Sequence, residues 1–239
     1  MVKSTYSRFI TTSKRPQTSI DNRLSVIILG AMPSHKMRTC GPKGLFKLKS
    51  GKLLIEHQID NIALAAKDAD VIITVGFNAD KILRQCPTHI RIVENQLYEN
   101  TNTFEELRLA FNNIVTEKVL VVHGEMFFSA DIISGLINGG HSAILVDSQK
   151  KMPENEIGVT VVNDRATILA YDIFPKWGYI TYFVGKEFRL LKTACSDRDK
   201  NKLYMFEGIN YVLERGGIIK AMELPNAKLH KIESIKDSV

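Results

Sequence analysis

Ser25-Val-Ile-Ile-Leu-Gly30 feeds directly into a basic loop that closes on Gly41-Pro-Lys-Gly44. The loop holds Lys36, Arg38 and Lys43, with Gly30, Gly41 and Gly44 where the chain has to bend. An apolar strand, a basic glycine-containing loop and then a helix is how α/β proteins set backbone N–H groups and cations around phosphates. The pattern is short, so its meaning depends on what flanks it.

Downstream, apolar runs and helical periods alternate. Lys52–Ala66 carries Leu54, Ile55, Ile59, Ile62 and Ala66 at helical spacing. Val71–Val75, Ile90–Val93, Lys118–Val122 and Ser142–Asp147 read as buried strands. Asp80 is expected to cap a short helix through Gln85. Thr103 is expected to cap the next one, with Glu106 completing a capping box. Asp131–Asn138 reads as a helix closed by Gly139-Gly140. Past this point Ile157–Val162, Ile168–Tyr171 and Tyr179–Val184 are strand-like with no long helix between them, which predicts a small antiparallel lobe. A helix over Lys202–Arg215, a late strand over Ile218–Glu223 and a terminal helix opening at Ile232–Asp237 follow. The expected fold class is therefore α/β, a three-layer sandwich with a mostly parallel central sheet and that lobe. Ligands of such sheets bind at the carboxyl ends of the strands, which brings the loops after Leu29, Val75, Val93 and Val122 to one edge.

Composition narrows the function classes. The chain has 239 residues, 44% hydrophobic and 24% charged, the proportions of an ordinary globular protein. Residues 1–22 are polar and basic without a clear period and read as a mobile extension; 23–239 read as a single domain. No apolar run approaches the roughly 20 residues needed to cross a bilayer, so a membrane role is not expected. Three cysteines, Cys40, Cys86 and Cys195, lack metal-ligand spacing and suit a reducing, cytoplasmic setting. The net charge of +6 points to an anionic ligand. No basic stripe is interleaved with aromatics, so a nucleotide is favoured over nucleic acid.

These elements resemble the sugar-phosphate and alcohol-phosphate nucleotidyltransferases of GT-A-like fold, and within them the phosphocholine cytidylyltransferase type. The resemblance runs through Ser25–Gly30 with Pro42-Lys43, Leu54-Ile-Glu-His-Gln-Ile59, Ile73-Thr-Val-Gly76, Glu99-Asn-Thr-Asn102, Gly124-Glu-Met-Phe-Phe128, Tyr204-Met-Phe-Glu-Gly208 and Ile232-Glu-Ser-Ile-Lys-Asp237. It implies a single-step transfer of NMP from an NTP, CTP favoured, to a small phosphorylated alcohol or sugar, with Mg²⁺ as cofactor and pyrophosphate as leaving group. It leaves room for a homodimer. Lys43 matches the lysine after the signature loop, and Lys36 or Arg38 the basic residue inside it. Leu29, Gly30, Ala31, Ser34, Asn102 and Gly124 match nucleotide-binding positions, and Glu125 and Glu207 the metal carboxylates. The chain departs from the family at Met32, Pro33 and Ser34, where a glycine-x-glycine is usual, and in using glutamates where aspartates are usual. Those departures keep two alternatives open: a catalytically impaired member that binds nucleotide or a partner, and a GT-A glycosyltransferase. Trp177, Phe174 and Tyr179 read first as core packing, and second as part of a pocket for a quaternary ammonium.

Overall fold

The computed structural model describes residues 23–33, 41–149 and 152–233. Its first half alternates as the sequence predicts. Strands β1 (Ser25–Leu29), β2 (Asp70–Val75), β3 (Arg91–Glu94) and β4 (Lys118–His123) are separated by helices α1 (Leu54–Ala65), α2 (Ala79–Gln85) and α3 (Thr103–Phe111). The short strand β5 (Met126–Phe128), helix α4 (Ala130–Asn138) and strand β6 (Ala143–Asp147) follow. The second half holds β7 (Ile157–Val162), β8 (Arg165–Tyr171), β9 (Lys176–Val184), α5 (Lys186–Ser196), α6 (Met205–Glu214), β10 (Lys220–Glu223) and β11 (Leu229–Lys231).

Nine of these strands form one mixed sheet in the order β3-β2-β1-β4-β9-β6-β10-β8-β7. β1 runs parallel to both β2 and β4, and β3 parallel to β2. All five residues of β1 are buried, as its unbroken Val-Ile-Ile-Leu run requires of a strand covered on both faces. β10 is parallel to β6, while β7 and β8 pair antiparallel.

The main departure from expectation is β9. Read from sequence, Tyr179–Val184 belongs with its neighbours in an antiparallel lobe. It instead crosses the middle of the sheet, antiparallel to β4 on one side and to β6 on the other. Trp177 through Phe183 are all buried, so this strand has no solvent face, which the central position explains. Helix α5 is absent from the sequence reading because lysines and arginines dominate its surface; Phe188, Leu191, Ala194 and Cys195 are nonetheless buried along one face. β5 and β11, also unforeseen, form a separate two-stranded ribbon.

Two capping assignments change. α2 begins after Asn78, which adopts a left-handed φ of 51°, and Asp80 sits inside the first turn facing Arg84 at 3.3 Å. α3 begins after Asn102, and the Thr103–Glu106 capping box does not form. Thr103 Oγ1 accepts the Met205 N–H at 2.7 Å, while Glu106 bonds to Ala31, just past β1, and to Thr74 of β2. Tertiary partners have displaced the local ones. Ile232 and Glu233 carry no regular structure, and the rest of the expected terminal helix lies outside the described residues.

The central place of β9 gives a direct stability test. Ile180→Ala, at a fully buried position, is expected to cost about 2–5 kcal/mol in urea denaturation. Ile168→Ala on β8, where the side chain is half exposed, is expected to stay within about 1 kcal/mol. Equal effects would contradict this placement.

Candidate active site

Parallel pairing in register brings three strand ends to one level. Leu29 stands opposite Thr74 on one side and His123 on the other. The chain then turns at Gly30 and at Gly124. The Gly124 N–H donates to the Leu29 carbonyl at 2.7 Å, and a β-carbon on Gly124 would lie 2.6 Å from that same oxygen. Only glycine allows so close an approach. A cleft of about 290 Å³ opens at this edge, walled by the β1 and β4 ends, the start of α3 and the aromatic residues of β8, β9 and α6.

Lys43, in a short 3-10 turn, reaches Glu125 at 3.4 Å inside the cleft. Burial alone would raise the Glu125 carboxyl. The Lys43 ammonium, with smaller help from neighbours, outweighs it and holds the group down to about 2. His123 lies 4.0 Å from Glu125 and edge-on to the Trp177 and Tyr179 rings. Its pKa is pushed down to about 4, chiefly by burial, so at neutral pH it is uncharged. Gln58 Nε2 donates to the carbonyls of Gly124 (3.2 Å) and Met126 (2.7 Å), which ties α1 to the loop carrying Glu125.

The donor chemistry here fits a hard divalent cation. Glu125 is ionised and lines the cleft, and Gln58 Oε1 is a buried amide oxygen without a hydrogen-bond partner among the described residues. Mg²⁺ is commonly held by one or two carboxylates with substrate phosphates completing its shell. No cluster of three or more His, Cys, Asp or Glu that could hold a metal ion is present among the described residues.

Glu106 is the second carboxylate of the cleft. Its Oε2 accepts the Ala31 N–H at 3.0 Å and the Thr74 hydroxyl, and the Thr74 oxygen in turn accepts the Gly30 N–H at 3.1 Å. This chain fixes the first two residues after β1. Burial, only partly offset by these hydrogen bonds, pushes the Glu106 carboxyl up to about 7.

The structure brings together part of the set read from sequence. Lys43, Glu125, Leu29, Gly30, Gly124 and Asn102 all line the cleft. Ala31 is buried behind it, its carbonyl accepting the Phe77 N–H at 3.0 Å. Ser34, Lys36 and Arg38 lie outside the described residues. Glu207 is not among the lining residues; its carboxylate accepts the Tyr204 N–H at 2.8 Å and closes the first turn of α6. Asn102 donates from Nδ2 to the Lys202 carbonyl at 2.6 Å, tying α3 to the turn before α6. Trp177 and Tyr179 are buried in the core and also line the cleft, with Trp177 Nε1 donating to Thr181 Oγ1 at 3.2 Å, while Phe174 is exposed and away from the cleft lining.

Sequence reasoning missed Glu106, Gln58 and the aromatic rim. Tyr171 meets Phe206 edge-on at 5.6 Å, and Tyr204 stacks beside Phe206 at 6.2 Å. Tyr171 and Tyr204 are half exposed, an arrangement that only the packing of β8 on α6 creates. The signal for Glu106 was present as an acid in the first turn of a helix, but a capping role accounted for it equally well.

No protein-family model matches the chain, and no curated protein matches it by sequence. Solved structures do match. One is CTP:phosphocholine cytidylyltransferase from Streptococcus pneumoniae, with 18% identity, a TM-score of 0.69, and coverage of 90% of this chain and 96% of that one. Another is the inositol-1-phosphate CTP transferase from T. maritima, with 17% identity, a TM-score of 0.67 and coverage of 89% and 90%. A nucleoside-diphosphate-sugar pyrophosphorylase from Vibrio cholerae has 14% identity, a TM-score of 0.65 and coverage of 84% and 91%. The chain has the nucleotidyltransferase fold over nearly its whole described length. None of its described helices is long and apolar enough to cross a membrane.

The raised Glu106 pKa carries a prediction of defined sign. The unfolded chain releases this proton near 4.5 and the folded chain near 7, so the native state binds more protons between those values. Stability contributed by the neutral carboxyl is therefore present below about 4.5 and is lost as pH rises to about 7, by an amount on the order of 3 kcal/mol. Glu125, held below its ordinary range, acts under that window. Urea denaturation across pH should show wild type losing stability through this interval relative to Glu106→Gln. Parallel pH profiles for the two would refute the assignment.

Proposed function

We propose that this chain is a divalent-metal-dependent nucleotidyltransferase. It transfers NMP from an NTP, with CTP favoured, to a small phosphorylated alcohol or sugar and releases pyrophosphate. The observation that carries this reading is the Lys43–Glu125 pair at the carboxyl edge of β1 and β4, in the cleft of a fold shared with nucleotidyltransferases.

Lys43 would hold the triphosphate, with Lys36 and Arg38 of the preceding loop adding charge. Glu125 would hold Mg²⁺, which when bound supplies neutralisation of charge on the phosphate oxygens. A triphosphate offers Lys43 a stronger anionic partner than Glu125 alone, so binding would exchange the resting ion pair for a bridged arrangement of both groups. The acceptor phosphate oxygen attacks the α-phosphorus, the bond to the β-phosphate oxygen breaks, and pyrophosphate departs. The protein contributes position and electrostatics, with no covalent intermediate. The exposed faces of Tyr171 and Tyr204 beside Phe206 support a phosphocholine-like acceptor, because aromatic faces attract quaternary ammonium groups.

A binding-only member of the fold is the second reading. It is favoured by one observation: Glu207, which the family resemblance pairs with Glu125 at a metal, is committed to the α6 cap.

Pyrophosphate release with Mg²⁺, across the NTPs crossed with phosphocholine, inositol 1-phosphate and sugar 1-phosphates, decides between them. Turnover with one pair is expected. Lys43→Ala and Glu125→Gln should each then lower kcat/KM by at least about 10²-fold, the scale for lost electrostatic stabilisation. Silence across the panel with NTP binding intact would select the second reading. Full turnover by Lys43→Ala would remove the first.

A further inference from the structure

Glu106 is an ionisable group of the cleft that the transfer chemistry does not use. Its neighbour Glu105 is satisfied on the other side of the helix by Arg108, through bonds of 2.8 and 2.6 Å. Among the described residues Glu106 has no such cation in an ion pair. Lys43, the ammonium that acts on it, is already paired with Glu125. A carboxylate is rarely buried without a counter-charge unless it has a task.

Its two oxygens differ. Oε2 takes both protein donors, from Ala31 and Thr74. Oε1 takes no hydrogen bond from the described residues, and Glu106 lines the cleft. Asn102, Thr103 and Glu106 lie three and four residues apart, on one face of α3, and all three line the same wall. Whatever part of a ligand rests on that wall meets an oxygen that can accept and, once ionised, cannot donate.

Such an oxygen disfavours the triphosphate, which the carboxylate repels, and suits the donor-bearing part of a nucleotide. Cytosine and adenine present an exocyclic amino group, and guanine an amino group beside a ring N–H. Uracil and thymine present one ring N–H flanked on both sides by carbonyl oxygens, which a carboxylate disfavours. We infer that Glu106 reads the base, accepting a hydrogen bond from an exocyclic amino group, so that the site takes CTP, ATP or GTP in preference to UTP or dTTP. The inference rests on the nucleotidyltransferase reading and adds to it a named specificity residue and a class of base. Met32 and Pro33, which line the cleft beside Gly30, directly follow Ala31, whose N–H the same carboxylate accepts.

Calorimetric titration of the full chain with ATP, CTP, GTP, UTP, dTTP and dCTP in Mg²⁺, at about pH 8 where Glu106 is ionised and cannot donate, tests this. The expected result is tightest binding to an amino-bearing nucleotide, at least about tenfold over UTP and dTTP, the scale of one hydrogen bond to a charged acceptor. Glu106→Gln keeps the shape but adds an NH₂ donor, and should collapse that preference by about the same factor. Equal affinity for UTP and CTP in the wild type overturns the inference while leaving the enzymatic reading intact. So does a variant that weakens all nucleotides alike, which is what a purely structural Glu106 would give. A preference for CTP over dCTP that disappears in the variant would put the ribose against Glu106 and also overturn it. Absence of binding to every nucleotide overturns the nucleotidyltransferase reading and this inference together. If the variant fails to fold, as judged by circular dichroism, the wild-type ratio of CTP to UTP affinity decides alone.

Discussion

Everything at the candidate site depends on the parallel, in-register pairing of β1 with β2 and β4. Because Leu29 faces Thr74 on one side and His123 on the other, three chains leave the sheet at the same height. The backbone polar groups released there must find partners, and they find one another: Gly124 N–H with the Leu29 carbonyl, Gly30 N–H with Thr74 Oγ1. Shifting β4 by one residue would exchange its two faces and send His123 and Glu125 away from the cleft. The strand-end bonds from the Gly124 N–H to the Leu29 carbonyl and from the Gly30 N–H to Thr74 Oγ1 hold this register.

On this frame the cleft combines opposite electrostatic regimes. Glu125 is buried in an ion pair and stays ionised well below neutrality, whereas Glu106 is buried with no ion-pair partner among the described residues and titrates near it. Burial opposes ionisation in both; the counter-charge makes the difference. Two carboxylates on one cleft are thereby given different properties, one suited to a cation and the other to a neutral donor. A third buried carboxylate, Glu156, is held by Lys231 at 2.5 Å and Lys176 at 3.2 Å with the Tyr179 hydroxyl at 2.7 Å. That cluster fastens β7 and β11 to β9 behind the aromatic wall.

The second half of the chain supplies the wall rather than the charges. β9 inserts into the sheet between β4 and β6, which places Trp177 and Tyr179 against His123. Packing of β8 on α6 then leaves Tyr171 and Tyr204 half exposed at the rim beside Phe206. The charged floor of the cleft and its aromatic rim thus come from separate parts of the chain, joined by β9 within the sheet and by the bonds of Asn102 and Thr103 to Lys202 and Met205.

From its sequence alone the chain declares the alternation of the first half, the strand–loop–helix around Gly30 and Lys43, and Glu125 at a strand end. These are local: an apolar run of fixed length, a glycine where the backbone must turn, a periodic helix. Tertiary structure decided the rest. β9 could not be told from an outer strand, because an apolar run shows burial and not which neighbours cause it. Helix α5 was hidden by its own charged surface. Glu106 follows Thr103 at the spacing of a capping box, and local physics would have spent it there. Its carboxylate instead reaches Ala31 and Thr74, residues 75 and 32 positions away, because α3 packs over the ends of β1 and β2. Glu207 went the opposite way, kept by a local helix cap when family pattern would have sent it to the site. Whether an acid serves its own helix or a distant cleft depends on which donors lie nearest after packing, and that distance is not written in sequence spacing.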